Sequence, residues 1–210
     1  MLLLALGAAG ALAACGRKPA ATTVALPAGT TVLALGDSIT AGVGADAASS
    51  YPAQLAALTG WNVVNGGVSG DTSAQAAERI PALLAEHKPA LVIVSVGGND
   101  FLRRLSKADT EASIRRIVGA ARDAGAQVLL VAVPQPTLAA AVGVGLSDHP
   151  LYASLAGELK LPLHSGGWSY VLGQASMRSD QIHANAAGYR AFAEGLVTTL
   201  KVIGYLRHGT

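Results

Sequence analysis

From Thr30 onward, short apolar runs alternate with stretches of helical periodicity, and this alternation limits the fold more than any other feature of the chain. Residues 32–35, 61–65 (WNVVN), 90–96 (ALVIVSV), 127–133 (QVLLVAV) and 161–165 (LPLHS) read as strands. The first and third have almost no polar interruption, as strands buried on both faces require. Between them, residues 50–58, 73–87, 109–125, 151–159 and 185–203 read as helices. In 73–87, Ile80, Leu83 and Leu84 share one side and Pro81 predicts a kink. In 109–125, Asp109 or Thr110 is the expected cap and Gly125 the stop. Strand–helix–strand alternation implies parallel strands joined by right-handed crossovers. The expected fold is therefore α/β, a three-layer αβα sandwich of flavodoxin-like type with a parallel sheet of about five strands, spanning residues 30–205 before a short tail at 206–210. In such a sheet the ligand crevice lies at the carboxyl ends of the strands.

The composition agrees with one domain and a sizeable core: 210 residues, 51% hydrophobic and 13% charged. A net charge of +2 without a basic block argues against nucleic acid as the main partner. No histidine pair has helical metal-ligand spacing, so no metal is expected. Gly42-Val43-Gly44 and Gly143-Val144-Gly145 are too short for a dinucleotide fingerprint, and no phosphate-binding GxxxxGK[ST] occurs. No cofactor is expected, and the chain is read as a monomer. The single cysteine, Cys15, forms no internal disulfide. It follows fourteen apolar or glycine residues, 1–14, that suit the hydrophobic part of a signal peptide, although no Lys or Arg precedes them. Leu12-Ala13-Ala14-Cys15 resembles a bacterial lipobox, in which the leader is removed and the cysteine acquires a lipid. The expectation is an exported protein of the bacterial cell envelope, held at a membrane surface by acyl chains on Cys15, with 15–29 as a flexible Pro/Ala/Thr/Gly tether. An ordinary secretory signal with an incidental cysteine is the alternative.

Four polar clusters interrupt this apolar chain: Gly36-Asp37-Ser38, residues 65–72 (NGGVSGDT), Gly97-Gly98-Asn99-Asp100, and Asp180-Gln181-Ile182-His183. Three directly follow strands, so the fold gathers them on one rim; the fourth precedes the last helix. Alone, each reads as a turn or a helix cap. Together they contain every part that acyl transfer needs. Ser38 carries a weakly acidic hydroxyl that needs a base to become a nucleophile. His183 can take that proton on one ring nitrogen and return it to the leaving group. Asp180, three residues earlier, can hold the other ring nitrogen. The remaining candidates read as structural: Asp37 as organiser of its turn, Asp71 and Asp100 as scaffold, the adjacent pair Asp148-His149 as unable to align, and His87, His164 and His208 as surface or packing residues without a local partner.

Ser38 in GDSI, Gly70 in GVSGDT, Asn99 in GGND and His183 in DQIH occur in the order of the GDSL/SGNH hydrolase family, which the chain resembles over about residues 31–205. The flanking residues are most similar to the bacterial arylesterase and multifunctional thioesterase/lysophospholipase branch. Ile39 stands where leucine is usual, and Ala184 where a proline is common. The resemblance implies an oxyanion hole made by the Ser38 N–H, the Gly70 N–H and the Asn99 amide, in which losing one donor costs about 2.7–4 kcal/mol of barrier. It implies a serine esterase acting on acyl esters or thioesters. Two alternatives are a cell-envelope carbohydrate O-acetylesterase of the same fold and a non-catalytic binding lipoprotein. Residues 134–153, apolar and glycine-containing, read either as a loop packed on the core or as one wall of an acyl groove.

Overall fold

The computed structural model describes residues 24–135 and 145–207. Cys15, the apolar leader, His208 and residues 136–144 lie outside them. Five parallel strands, β1 (Thr31–Gly36), β2 (Asn62–Gly67), β3 (Leu91–Ser95), β4 (Gln127–Val131) and β5 (Leu163–His164), form one sheet. Their order is β2-β1-β3-β4-β5, the flavodoxin-like arrangement. Val32–Leu35 and all of β3 are buried, as uninterrupted apolar runs demand. Edge strand β2 exposes Asn62 and Asn65 instead.

Eight α-helices complete the described fold: α1 (Ser38–Ala41), α2 (Tyr51–Thr59), α3 (Ser73–His87), α4 (Gly98–Leu102), α5 (Lys107–Asp123), α6 (Leu151–Leu159), α7 (Gly167–Leu172) and α8 (Ala186–Val202). α3, α5 and α6 pack as one layer, and α2, α7 and α8 as the other. The second layer is centred on aromatic rings: Trp168 stacks on Phe192 at 3.5 Å, and Tyr51 meets both edge-on.

Several boundaries differ from the sequence reading for identifiable reasons. The cap of α5 is Ser106, whose hydroxyl accepts the Asp109 N–H, so the helix starts before Asp109. It ends at Asp123, and Gly125, at φ +81°, sits in the turn beyond. α3, by contrast, has the expected bounds and runs on through Pro81, which is exposed, so water can serve the carbonyl that proline leaves unpaired. The fifth strand shrinks to two residues. Short helices α1, α4 and α7 are additions, too brief to show a 3.6-residue period. The described part of the tether is bound to the domain: Val24 pairs with the Gln127 amide, Leu26 donates to the Tyr205 carbonyl, and Gly29 donates to the Gly60 carbonyl. The domain thus begins by Val24 rather than at residue 30. Leu206 is buried with the core rather than lying in a tail.

Candidate active site

The chain leaves β1 toward β2 on one side and returns to β3 on the other, which opens a crevice between the carboxyl ends of β1 and β3. Ser38 stands at the end of β1 and Asn99 just past β3, so both meet there. The turn that ends β1 is closed by Asp37, whose Oδ1 accepts the Ile39 N–H at 3.1 Å. That bond caps α1 and puts Ser38 at its first position, where a backbone N–H has no helical partner.

His183 arrives from the segment before α8. Asp180 shapes that segment: its Oδ1 accepts the N–H groups of Ile182 and His183, both at 2.8 Å. Asp180 Oδ2 lies 2.7 Å from His183 Nδ1, and His183 Nε2 lies 3.0 Å from Ser38 Oγ. A carboxylate acceptor behind Nδ1 makes that nitrogen the donor and leaves Nε2 to accept the Ser38 proton. The three-residue spacing works through an Asx-type turn rather than through a helical turn. The Ser179 N–H donates to the His183 carbonyl, and the Asn185 amide donates to the carbonyls of Ser176 and Arg178. The segment is therefore fixed with Ala184, wholly buried, in the position where proline is common.

The electrostatics separate the carboxylates. Burial pushes the Asp180 carboxyl up, but the His183 ring and the two backbone N–H groups outweigh it and hold the group below the ordinary range, ionised behind the ring. Asp37 goes the other way: burial raises it to about 6, against the pull of the Ile39 N–H and of His183.

Gly70 has φ +84°, and its N–H donates to no protein acceptor among the described residues. A Cβ there would meet only the Arg103 guanidinium, at 3.6 Å, so the left-handed backbone rather than crowding calls for glycine. Asn99 Nδ2 donates to the Asp71 carbonyl at 3.0 Å and lies 3.4 Å from Asp37 Oδ2. All five predicted residues inside the described chain thus come to one rim.

The other candidates are occupied elsewhere. Asp100 accepts from the Ser73 N–H, the Ser73 hydroxyl and the Thr110 hydroxyl. Asp148 accepts from the Gly166 N–H and the Ser169 hydroxyl. Its neighbour His149 stacks on Phe101 at 4.1 Å. His164 is a buried packing residue, and its Nδ1 lies 2.7 Å from the hydroxyl of Thr199, a partner distant in sequence. No group of three or more His, Cys, Asp or Glu among the described residues could hold a metal ion.

Beside Ser38 opens a cavity of about 230 Å³, walled by Ile39, Leu102, Val133, Leu146, Leu172 and Ile182. Of the region read as an acyl-groove wall, residues 134–153, Pro134, Gln135 and Leu146 line the cavity. Leu102, Leu172 and Ile182 went unnoticed in the sequence. Only their nearness in the chain to Asn99, Trp168 and His183 hinted at them.

The GDSL-like Lipase/Acylhydrolase family model matches residues 34–191. Esterase TesA of Pseudomonas aeruginosa is 36% identical over 179 residues, covering 81% of this chain and 88% of its own. Thioesterase 1/protease 1/lysophospholipase L1 of Escherichia coli is 35% identical over 178 residues, covering 81% and 83%. A crystal structure of TesA superposes with a TM-score of 0.71 at 34% identity, covering 83% of this chain and 99% of that one.

Proposed function

The chain belongs to the GDSL-like lipase/acylhydrolase family of serine esterases, and from that premise we propose that it hydrolyses carboxylic esters or thioesters of acyl chains through an acyl-enzyme on Ser38. The observation that carries this reading is the continuous relay Asp180–His183–Ser38, with contacts of 2.7 and 3.0 Å, at the mouth of an apolar cavity. Ser38 Oγ attacks the carbonyl carbon while His183 Nε2 takes its proton. The carbonyl oxygen becomes an oxyanion facing the N–H groups of Ser38 and Gly70 and the Asn99 amide. His183 then protonates the leaving alcohol or thiol. Water repeats the sequence, its proton going to His183, and frees the acid and Ser38. The apolar lining favours an acyl chain over a sugar as the group beside Ser38.

A hydrolysis profile over p-nitrophenyl esters of increasing acyl length tests this. Each methylene buried in the cavity is worth about 0.8 kcal/mol, or up to roughly a fourfold gain in kcat/KM per added carbon. The expected profile rises with chain length and then levels off as the cavity fills, and Ser38→Ala is inactive throughout. A flat profile would remove the acyl-pocket reading.

We further propose that the protein is exported and lipid-anchored through Cys15. The lipobox-like sequence and the Pro/Ala/Thr-rich stretch after it support this. Among the described residues no helix is long and apolar enough to cross a membrane.

A further inference from the structure

The three loops that carry the proposed oxyanion donors have no covalent tie near the site. Gly36-Asp37-Ser38 follows β1, Gly70-Asp71 follows β2, and Asn99 lies in α4 after β3. Two arginines tie them: Arg103, just past α4, donates from Nη2 to the Gly70 carbonyl at 2.8 Å, and a second arginine reaches the turn after β1 from outside the site. Arg79, on α3, donates from Nε to Asp71 Oδ2 at 2.6 Å and from Nη2 to the Gly36 carbonyl at 2.8 Å. The Asp71 carbonyl is the acceptor that holds the Asn99 amide, at 3.0 Å. A chain of hydrogen bonds therefore runs from the backbone two residues before the nucleophile, through the Arg79 fork and Asp71, to Asn99, beside the longer 3.4 Å approach of Asn99 to Asp37.

The fold of α3 does not need this pair. The helix is started by a capping box between Thr72 and Gln75, and Asp100 grips the N–H and hydroxyl of Ser73. It is seated by buried Ala76, Ile80 and Leu84. The guanidinium bonds to Asp71 and Gly36 go to the site loops rather than to the helix. The pair is largely sheltered, with the side chains 23% and 10% exposed, so water screens it weakly. A guanidinium holds two acceptors in fixed geometry, which an ammonium cannot reproduce.

We propose that Arg79, anchored by Asp71, is a positioning residue: it sets the spacing between the nucleophile turn, the Gly70 loop and Asn99, and so aims the oxyanion donors. The inference rests on the donor set proposed above. Donors that must lie within a few tenths of an ångström of a developing charge lose most of their effect when one loop drifts. Ground-state binding in the apolar cavity does not depend on that spacing.

The test uses purified full-length Arg79→Gln, Arg79→Lys and Asp71→Asn proteins, with three readouts. These are kcat and KM on a p-nitrophenyl ester, affinity for an alkyl boronic acid of matching chain length, and thermal unfolding. The boronate forms an anionic tetrahedral adduct on serine and so reports the oxyanion site. Arg79→Gln is expected to lower kcat at least tenfold with KM within twofold, and to weaken the boronate by a similar factor. Asp71→Asn should act alike, Arg79→Lys should fall between, and the double variant should lose no more than the worse single, since the two act as one unit. Unchanged kcat and boronate affinity, whatever happens to thermal stability, would overturn the proposal, as would a fall in kcat without weaker boronate binding. Should Arg79→Gln fail to fold, Arg79→Lys and Asp71→Asn decide by the same criteria. Asn99→Ala separates this inference from the reading beneath it. No loss of kcat there removes the donor set and the proposal together. A loss there with none in the Arg79 and Asp71 variants overturns the positioning role alone.

Discussion

His164 and Asp37 are both buried, and burial drives them in opposite directions. His164 is only 5% exposed and its Nε2 has no partner among the described residues, so desolvation pulls it down from 6.5 to about 4. Between those pH values the unfolded chain binds a proton that the folded one refuses, so stability falls as pH drops through that window. Asp37, raised from 3.8 to about 6, does the reverse: its contribution is full below 3.8 and is lost as pH rises toward 6. The two slopes oppose each other across the same range and mask one another in the parent protein. Replacing one exposes the other. His164→Gln is expected to gain stability relative to the parent on going from pH 7 to pH 4.5, by at most about 3 kcal/mol. Denaturant melts at both pH values check this; an unchanged difference between variant and parent would contradict it. Ser38, Asp180 and His183 were legible in the sequence because they lie in polar clusters at strand ends and before the last helix, and the carboxylate lies three residues from its ring. Gly70 was legible through its place in GVSGDT, and its left-handed backbone, at φ +84°, supplies the physical reason for glycine there. Arg79 was not legible: its partners lie 8 and 43 residues away. The same holds for the His164–Thr199 bond, 35 residues apart.

At the scale of elements, the buried strands β1 and β3 and the long helices α3, α5 and α8 could be read directly from their periods. The short helices could not, yet they bear the site: α1 opens on Ser38, α4 carries Asn99, and α7 supplies Leu172 to the cavity. Helices of four to six residues have too little propensity to stand alone and exist because packing holds them. α1 shows how. Gly67 ends β2 against it, and a Cβ there would collide with the backbone of Thr40 and Ala41. Gly36 leaves room for the Thr40 side chain, which is buried and 3.2 Å from the Tyr51 hydroxyl. The helix that presents the nucleophile is thus fitted between two strand-end glycines, a constraint that exists only after β1 and β2 pair.

The sheet gives the whole molecule two edges. The candidate site occupies the carboxyl edge of the sheet, whereas Val24 to Gly29 is bonded along the amino edge. A chain extends at most about 3.3–3.6 Å per residue, so the nine steps from Cys15 to Val24 reach roughly 30 Å. An anchor at Cys15 would therefore hold the domain by the edge opposite its catalytic mouth. Metabolic labelling with an alkyne fatty acid in a bacterial host should mark the protein, and Cys15→Ser should release it unlabelled; a parent protein that stays soluble and unlabelled would rule the anchor out. The central claim concerns the other edge, where Ser38 is activated by His183 and Asp180. A fluorophosphonate reacts covalently with such a serine, and peptide mapping locates the adduct. The account predicts one adduct, on Ser38, absent from Ser38→Ala and formed on the order of 10³- to 10⁴-fold more slowly in Asp180→Asn. An adduct on a different residue, or ester hydrolysis that survives Ser38→Ala, would contradict it.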